Sequence, residues 1–165
     1  MSPTTTRRGY SSELRAQQAE QTRARIVDAA VVRFRADGYE KTTLADIAAE
    51  AKVSVETVRA HGPKSALVVE AARCVAHDPD AGPLLETALG RAYLAQPDPD
   101  SYLDFTVGVS LEINRATAGV YAALASAAAG DPELDAQWTG RLAASRAELD
   151  ELLGIWIDRG WARTD

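Results

Sequence analysis

Apolar residues recur at three- and four-residue spacing along most of the chain, and the period-two alternation of a half-buried strand is found nowhere. The first stripe, Ile26, Val27, Ala30, Val31 and Phe34, predicts a helix over residues 12–36. Asp37-Gly38 should end it, with the glycine as a left-handed cap. Residues 1–10, rich in Ser, Thr and Arg and without periodicity, read as a mobile arm. Thr43 suits the N-cap of a second helix, 44–51, whose stripe is Leu44, Ile47, Ala48 and Ala51. Ser54 caps a short third helix, 55–60, stopped by His61-Gly62-Pro63. Pro63 in turn suits the first turn of a fourth, running to about Ala76.

Residues 77–83, HDPDAGP, are rich in helix breakers and predict a linker. Helices are expected over 84–95, 101–115 and 117–129, the last two divided around Ala116, and over 133–158. The predicted fold class is all-α: a three-helix head followed by a small helical bundle.

Composition agrees. Apolar residues are 46% and charged residues 25%, the balance of a globular protein rather than a disordered or fibrous one. Alanine supplies 32 of the 165 residues and aromatics only 6%, which favours helix because alanine loses no side-chain entropy there. No apolar run reaches the ~18 residues of a membrane span and no signal-peptide segment opens the chain, so a cytoplasmic protein with no membrane partner is expected. Cys74 is the only cysteine, which excludes an internal disulfide.

Charge alters the picture. The net charge of -6 argues, over the whole chain, against a partner as anionic as nucleic acid. Residues 1–76, however, hold 12 Lys/Arg against 9 Asp/Glu, whereas residues 77–165 hold 6 against 15. The acidic excess therefore lies beyond the linker, and only the first part has the sign for a nucleic-acid face.

The chemistry is concentrated in TTLADIAAEAKVSVETVRAH, residues 42–61. Two short helices joined by a tight turn form a helix-turn-helix if the first carries a small residue where the second crosses, here Ala48. The turn needs a residue tolerating positive φ, an apolar anchor and an N-cap, and Lys52, Val53 and Ser54 stand there; Val58 is the inward residue of the second helix. Lysine at the positive-φ position costs ~1–2 kcal/mol. A helix about 10–12 Å across fits the DNA major groove, where its N-terminal side chains reach base edges. On that face stand Ser54, Val55, Glu56, Thr57, Arg59, Ala60 and His61. Arg59 suits guanine or a phosphate, Glu56 a cytosine amino group, and Val55 a thymine methyl. Thr42, Thr43 and Lys64 suit the phosphate backbone, as do Arg7 and Arg8. Taken singly, each has an ordinary explanation in capping, packing or a solvated surface; taken together, the turn chemistry has none.

The run ARIVDAAVVRFRADGYEKTTLADIAAEAKVSVETV, residues 24–58, followed by GPKSAL, residues 62–67, resembles the tetracycline-repressor (TetR) family. The matching features include Ala29-Ala30, Phe34, Gly38-Tyr39, Thr43, Ile47-Ala48, Val53-Ser54 and Lys64. Where the family usually carries Tyr and then Phe near the end of the recognition helix, this chain has Val58-Arg59-Ala60-His61. The resemblance implies an arm and first-helix start over 1–21, a DNA-binding head with connecting helix over 22–76, and a ligand-binding and dimerisation domain over 77–165. It also implies a homodimeric repressor on a palindromic double-stranded DNA operator, released by a small-molecule effector. The family's last two helices, which pair subunits, are expected about where this sequence stops, so Ile155, Trp156, Ile157 and Trp161 are expected to be exposed and to seek a partner.

For the effector, Tyr93, Tyr102, Phe105, Tyr121 and Trp138 are candidate pocket aromatics, with Val109, Glu112 and Asn114 on the same helical stretch. Plain core is the more ordinary role of such aromatics. Cys74 and His77 have too few partners for a metal site, and a buried thiol is the simpler reading. Asp98, Asp100 and Asp104 suit turn and N-cap chemistry. No phosphate loop or nucleophile elbow is found, so neither a cofactor nor an enzyme is expected. A ligand-binding or protein–protein module with a degenerate head remains the alternative.

Overall fold

The computed structural model describes residues 6–76 and 84–161, with side chains from residue 14 onward. Among these residues the fold is all-α: α1 (Thr6–Lys41), α2 (Leu44–Ala51), α3 (Val55–His61), α4 (Lys64–Val75), a 3-10 turn (Leu84–Glu86), α5 (Ala88–Leu94), α6 (Pro99–Ala128) and α7 (Pro132–Asp158). No helix among them is long and apolar enough to cross a membrane.

The stripe on α1 is the axis of the molecule. Ile26, Ala29, Ala30 and Phe34 are all buried, and the helix packs on α2, α4 and α6. It starts six residues before the expected Ser12, inside the stretch read as an arm. At its other end Gly38 leaves helical geometry (φ 74, ψ 178), as the Asp37-Gly38 signal predicts, but a further turn to Lys41 follows. That turn brings the Tyr39 ring onto Phe34, 6.0 Å between centroids.

The second half of the chain departs from expectation at two helices. The expected helix over 84–95 is broken: Leu84–Glu86 forms a 3-10 turn, and Thr87 caps α5 by accepting from the Gly90 N–H at 3.1 Å. Gly90 makes this possible, because a Cβ there would stand 2.1 Å from the Leu84 carbonyl oxygen. The division around Ala116 does not occur, and α6 runs through it unbroken. No glycine or proline interrupts the helix at that point, and the buried Thr117 hydroxyl donates back to the Ile113 carbonyl at 2.9 Å, keeping to the helical path.

Asp98 and Asp131 cap α6 and α7, each followed by proline at the first helical position. Asp98 accepts from the Ser101 N–H and hydroxyl, both at 2.9 Å, so the Pro-Asp run is cap chemistry.

One hydrophobic cluster joins head to body. It runs from Val58 of α3 and Ile47 of α2 through Phe34 and Leu67 to Val120, Leu124 and Leu134. A second, smaller one gathers Tyr93, Tyr102 and Ile155, with Phe105, Trp156 and Trp161 packed against it. Ile155, Trp156 and Trp161, expected to be exposed, are therefore drawn inward, since α7 folds back along α6 and its aromatic end fills the gap beside α5. Ile157 alone of that set stays exposed, in a row with Leu142, Leu149 and Leu153.

Candidate nucleic-acid interface and ligand cleft

The turn between α2 and α3 is held by contacts that are all local in sequence. The Thr43 hydroxyl accepts from the Asp46 N–H at 3.2 Å, and the Asp46 carboxylate accepts from the Thr43 N–H at 2.9 Å and hydroxyl at 2.6 Å. These form a capping box. The Thr43 hydroxyl, then its N–H, hold the Asp46 carboxyl below its ordinary value. At the far end of α2, Lys52 takes the left-handed conformation (φ 56, ψ 45). Its N–H and that of Val53 close on the carbonyls of Ala49 (3.2 Å) and Ala48 (3.0 Å). Ser54 then caps α3 by accepting from the Thr57 N–H at 3.1 Å, and the two hydroxyls share a hydrogen bond of 2.9 Å. Ala48 and Val58 are both buried where the helices meet.

These constraints leave one face of α3 outward. Ser54, Glu56, Arg59 and Ala60 are exposed, and Arg59 makes no ion pair among the described residues. Thr57 and His61 are half-buried. Val55 is also half-buried and packs on the head core.

The residues placed at the phosphate backbone divide. Thr43 is exposed beside α2, but Thr42 is buried at 1% exposure, and its hydroxyl donates to the Gly38 carbonyl at 2.7 Å. It is a clasp closing the end of α1, with no hydroxyl to offer a phosphate. Lys64 donates from Nζ to the Tyr39 carbonyl at 2.8 Å and lies 4.2 Å from the centre of that ring, tying α4 to the end of α1. The side chains of Arg7 and Arg8 lie outside the described residues, as does His77. Cys74, expected to be buried, is exposed near the end of α4.

The eight ligand candidates separate into three places. Tyr93, Tyr102 and Phe105 are core: Tyr93 meets Phe105 edge-on at 4.9 Å, and the Tyr102 hydroxyl donates to the Leu152 carbonyl at 3.0 Å. Val109 packs on the same cluster. Burial pushes the Tyr93 and Tyr102 phenols above their ordinary range. Glu112 and Asn114 are exposed and bond within α6, to Arg115 at 3.1 Å and to the Ser110 carbonyl at 2.9 Å. Tyr121, with Trp138 packed edge-on at 6.3 Å, stands at a cavity.

That cavity is a cleft of about 340 Å³, open to solvent, between α4, α6 and α7. Val69, Ala72, Tyr121 and Leu124 line it with apolar surface, and Arg73 and Arg141 bring two guanidinium groups to it. Neither arginine is among the sequence candidates, which are chiefly aromatic, and the two come from helices far apart in the chain.

Residues 26–71 match the family model described as bacterial regulatory proteins, tetR family. No curated protein and no solved structure matches the chain.

Proposed function

We propose that this chain, whose residues 26–71 match the model of the tetR family of bacterial regulatory proteins, is a cytoplasmic repressor that lays α3 in the major groove of a palindromic operator. The observation carrying this reading is the outward face of α3, where Ser54, Glu56 and Arg59 stand exposed on a helix fixed by caps at both ends of the turn. In this reading Glu56 and Arg59 read base edges, while Thr43 and the α3 N-terminus meet phosphates. The protein acts by binding rather than by turnover.

Two heads are needed to span half-sites one helical turn apart, roughly 34–36 Å. Support for a homodimer comes from the exposed apolar rows on α7 (Leu142, Leu149, Leu153, Ile157) and α6 (Leu103, Val107, Leu111). Large apolar side chains exposed at helical spacing on both helices are the kind of surface a partner subunit covers. A small-molecule effector seated in the cleft against α4 is the proposed releasing signal: differential affinity for two head positions shifts the protein off DNA.

A labelled fragment from around the protein's own promoter, titrated across salt concentrations, tests the reading. A specific complex whose log–log salt slope is several units supports it, and absence of any complex at low salt overturns it in favour of a module with a degenerate head. Light scattering at micromolar concentration tests the dimer, which a monomer mass rejects.

A further inference from the structure

We propose that the cleft between α4, α6 and α7 binds an amphipathic monocarboxylate, with its apolar body between Val69, Leu124 and Tyr121 and its head group on the guanidinium groups of Arg73 and Arg141. The inference names the chemical class of the effector and rests on the effector reading for its consequence at the head, though not for the binding itself.

Charge is the first reason. The cleft is lined by Arg73 from the basic first part of the chain and Arg141 from the acidic second, and by no carboxylate. A guanidinium is the group that pairs with a planar carboxylate through two parallel hydrogen bonds. A cationic ligand meets like charge there.

The state of the arginines is the second. Arg73 is exposed and makes no ion pair among the described residues. Arg141 donates from Nη2 to the Ser145 hydroxyl at 2.7 Å and reaches Glu148 at 3.2 Å, while its Nε is buried with no hydrogen-bond partner. Glu148 cancels one of the two positive charges, leaving a net charge of one. That balance fits a monocarboxylate better than a phosphate monoester, whose second charge would enter an apolar cleft uncompensated.

The walls give the third. The Tyr121 phenol, half-buried and without a hydrogen bond among the described residues, is pushed above its ordinary range chiefly by burial. About 340 Å³ is the small end of ligand-site volumes, so the body is that of a medium-chain acid.

Calorimetric titration of the full chain with octanoate, octan-1-ol and octylamine, which share one apolar body, tests the proposal without DNA. Octanoate is expected to bind at least about tenfold more tightly than octanol, and octylamine not measurably. Arg73→Gln should bring octanoate down to the octanol level and leave octanol unchanged. Gly140 lines the cleft and a Cβ there meets nothing within 4 Å, so Gly140→Leu should fold and block both ligands. Equal binding of octanoate and octanol, octanoate binding unchanged in Arg73→Gln or Gly140→Leu, or no octanoate binding at millimolar concentration each overturns the proposal. Octanoate binding in the expected pattern by a protein that ignores its promoter fragment upholds the ligand class and overturns the regulator. The converse result upholds the regulator and overturns the ligand class.

Discussion

Gly119 of α6 lies so close to Arg35 of α1 that a Cβ on the glycine would stand 3.0 Å from the Arg35 Cα and 3.3 Å from its Cβ. Nearby, the Arg35 guanidinium donates to the Arg115 carbonyl at 2.9 Å. The long helix of the head is thereby seated on the body backbone to backbone. Two effects oppose each other at this glycine. Alanine in a helix is better than glycine by about 1 kcal/mol, whereas overpacking a close contact costs about 1–3 kcal/mol. Gly119→Ala is expected to be nearly neutral and Gly119→Val clearly destabilising, since valine gains less helix propensity and adds two methyl groups to the contact. Urea unfolding of the two variants checks the order.

Lys52 occupies a left-handed position that glycine adopts without a Cβ penalty. Lys52→Gly is expected to raise stability by about 1 kcal/mol, less a few tenths for the greater freedom of glycine in the unfolded chain. A higher midpoint in thermal unfolding, with the helical signal unchanged, is the expected result; a lower one shows that the lysine side chain contributes something the turn geometry does not.

Arg59 stands free on the outward face of α3. Arg59→Ala is expected to weaken operator binding by about 1–3 kcal/mol and to relax the preference at one base pair, if it reads a base edge. A uniform loss across sequences, with the salt slope reduced by about one unit, assigns it to a phosphate instead. Anisotropy titrations on a panel of single-base operator variants distinguish the two.

Asp46 and Asp98 are both held below the ordinary carboxyl value of 3.8, Asp46 chiefly by the Thr43 hydroxyl and Asp98 chiefly by the Ser101 N–H. The folded state binds these protons more weakly than the unfolded chain. Their contribution to stability is therefore complete above the unfolded value and is lost as pH falls through the lower folded values. Acid unfolding followed by circular dichroism from about pH 5 to about pH 2 should show this loss, and a variant with asparagine at both positions, which keeps an acceptor oxygen that does not titrate, should show less of it.

How far the sequence reveals this structure depends on the span of the contacts involved. The N-caps at Thr43 and Ser54 and the turn at Lys52 each depend on groups within three or four residues and are legible as local chemistry, whereas the return bond from Asp46 that completes the box at Thr43 appears only in the structure. Thr42 was misjudged because its partners, Gly38 and Arg33, belong to the preceding helix, and only the folded chain shows that its hydroxyl is already engaged. The expected break at Ala116 does not occur, since no residue at that position stops a helix. The aromatics of the body were visible as candidates, but whether a tyrosine lines a cavity or fills a core is decided by the opposite helix. Tyr102 meets Trp156 and Trp161, while Tyr121 faces open space beside Arg141.

The single cluster running from Val58 to Leu134 has a consequence for how the molecule comes apart. With no break between the core under α3 and the core between α6 and α7, α3 is expected to melt with the rest of the chain rather than in a transition of its own. A ligand held at one hundred times its dissociation constant adds about 2.7 kcal/mol to the unfolding free energy of whatever melts together with its site. Here that unit includes α3, so occupation of a cleft on the body is expected to slow proteolysis at the head, as though the tip of the molecule had been touched directly.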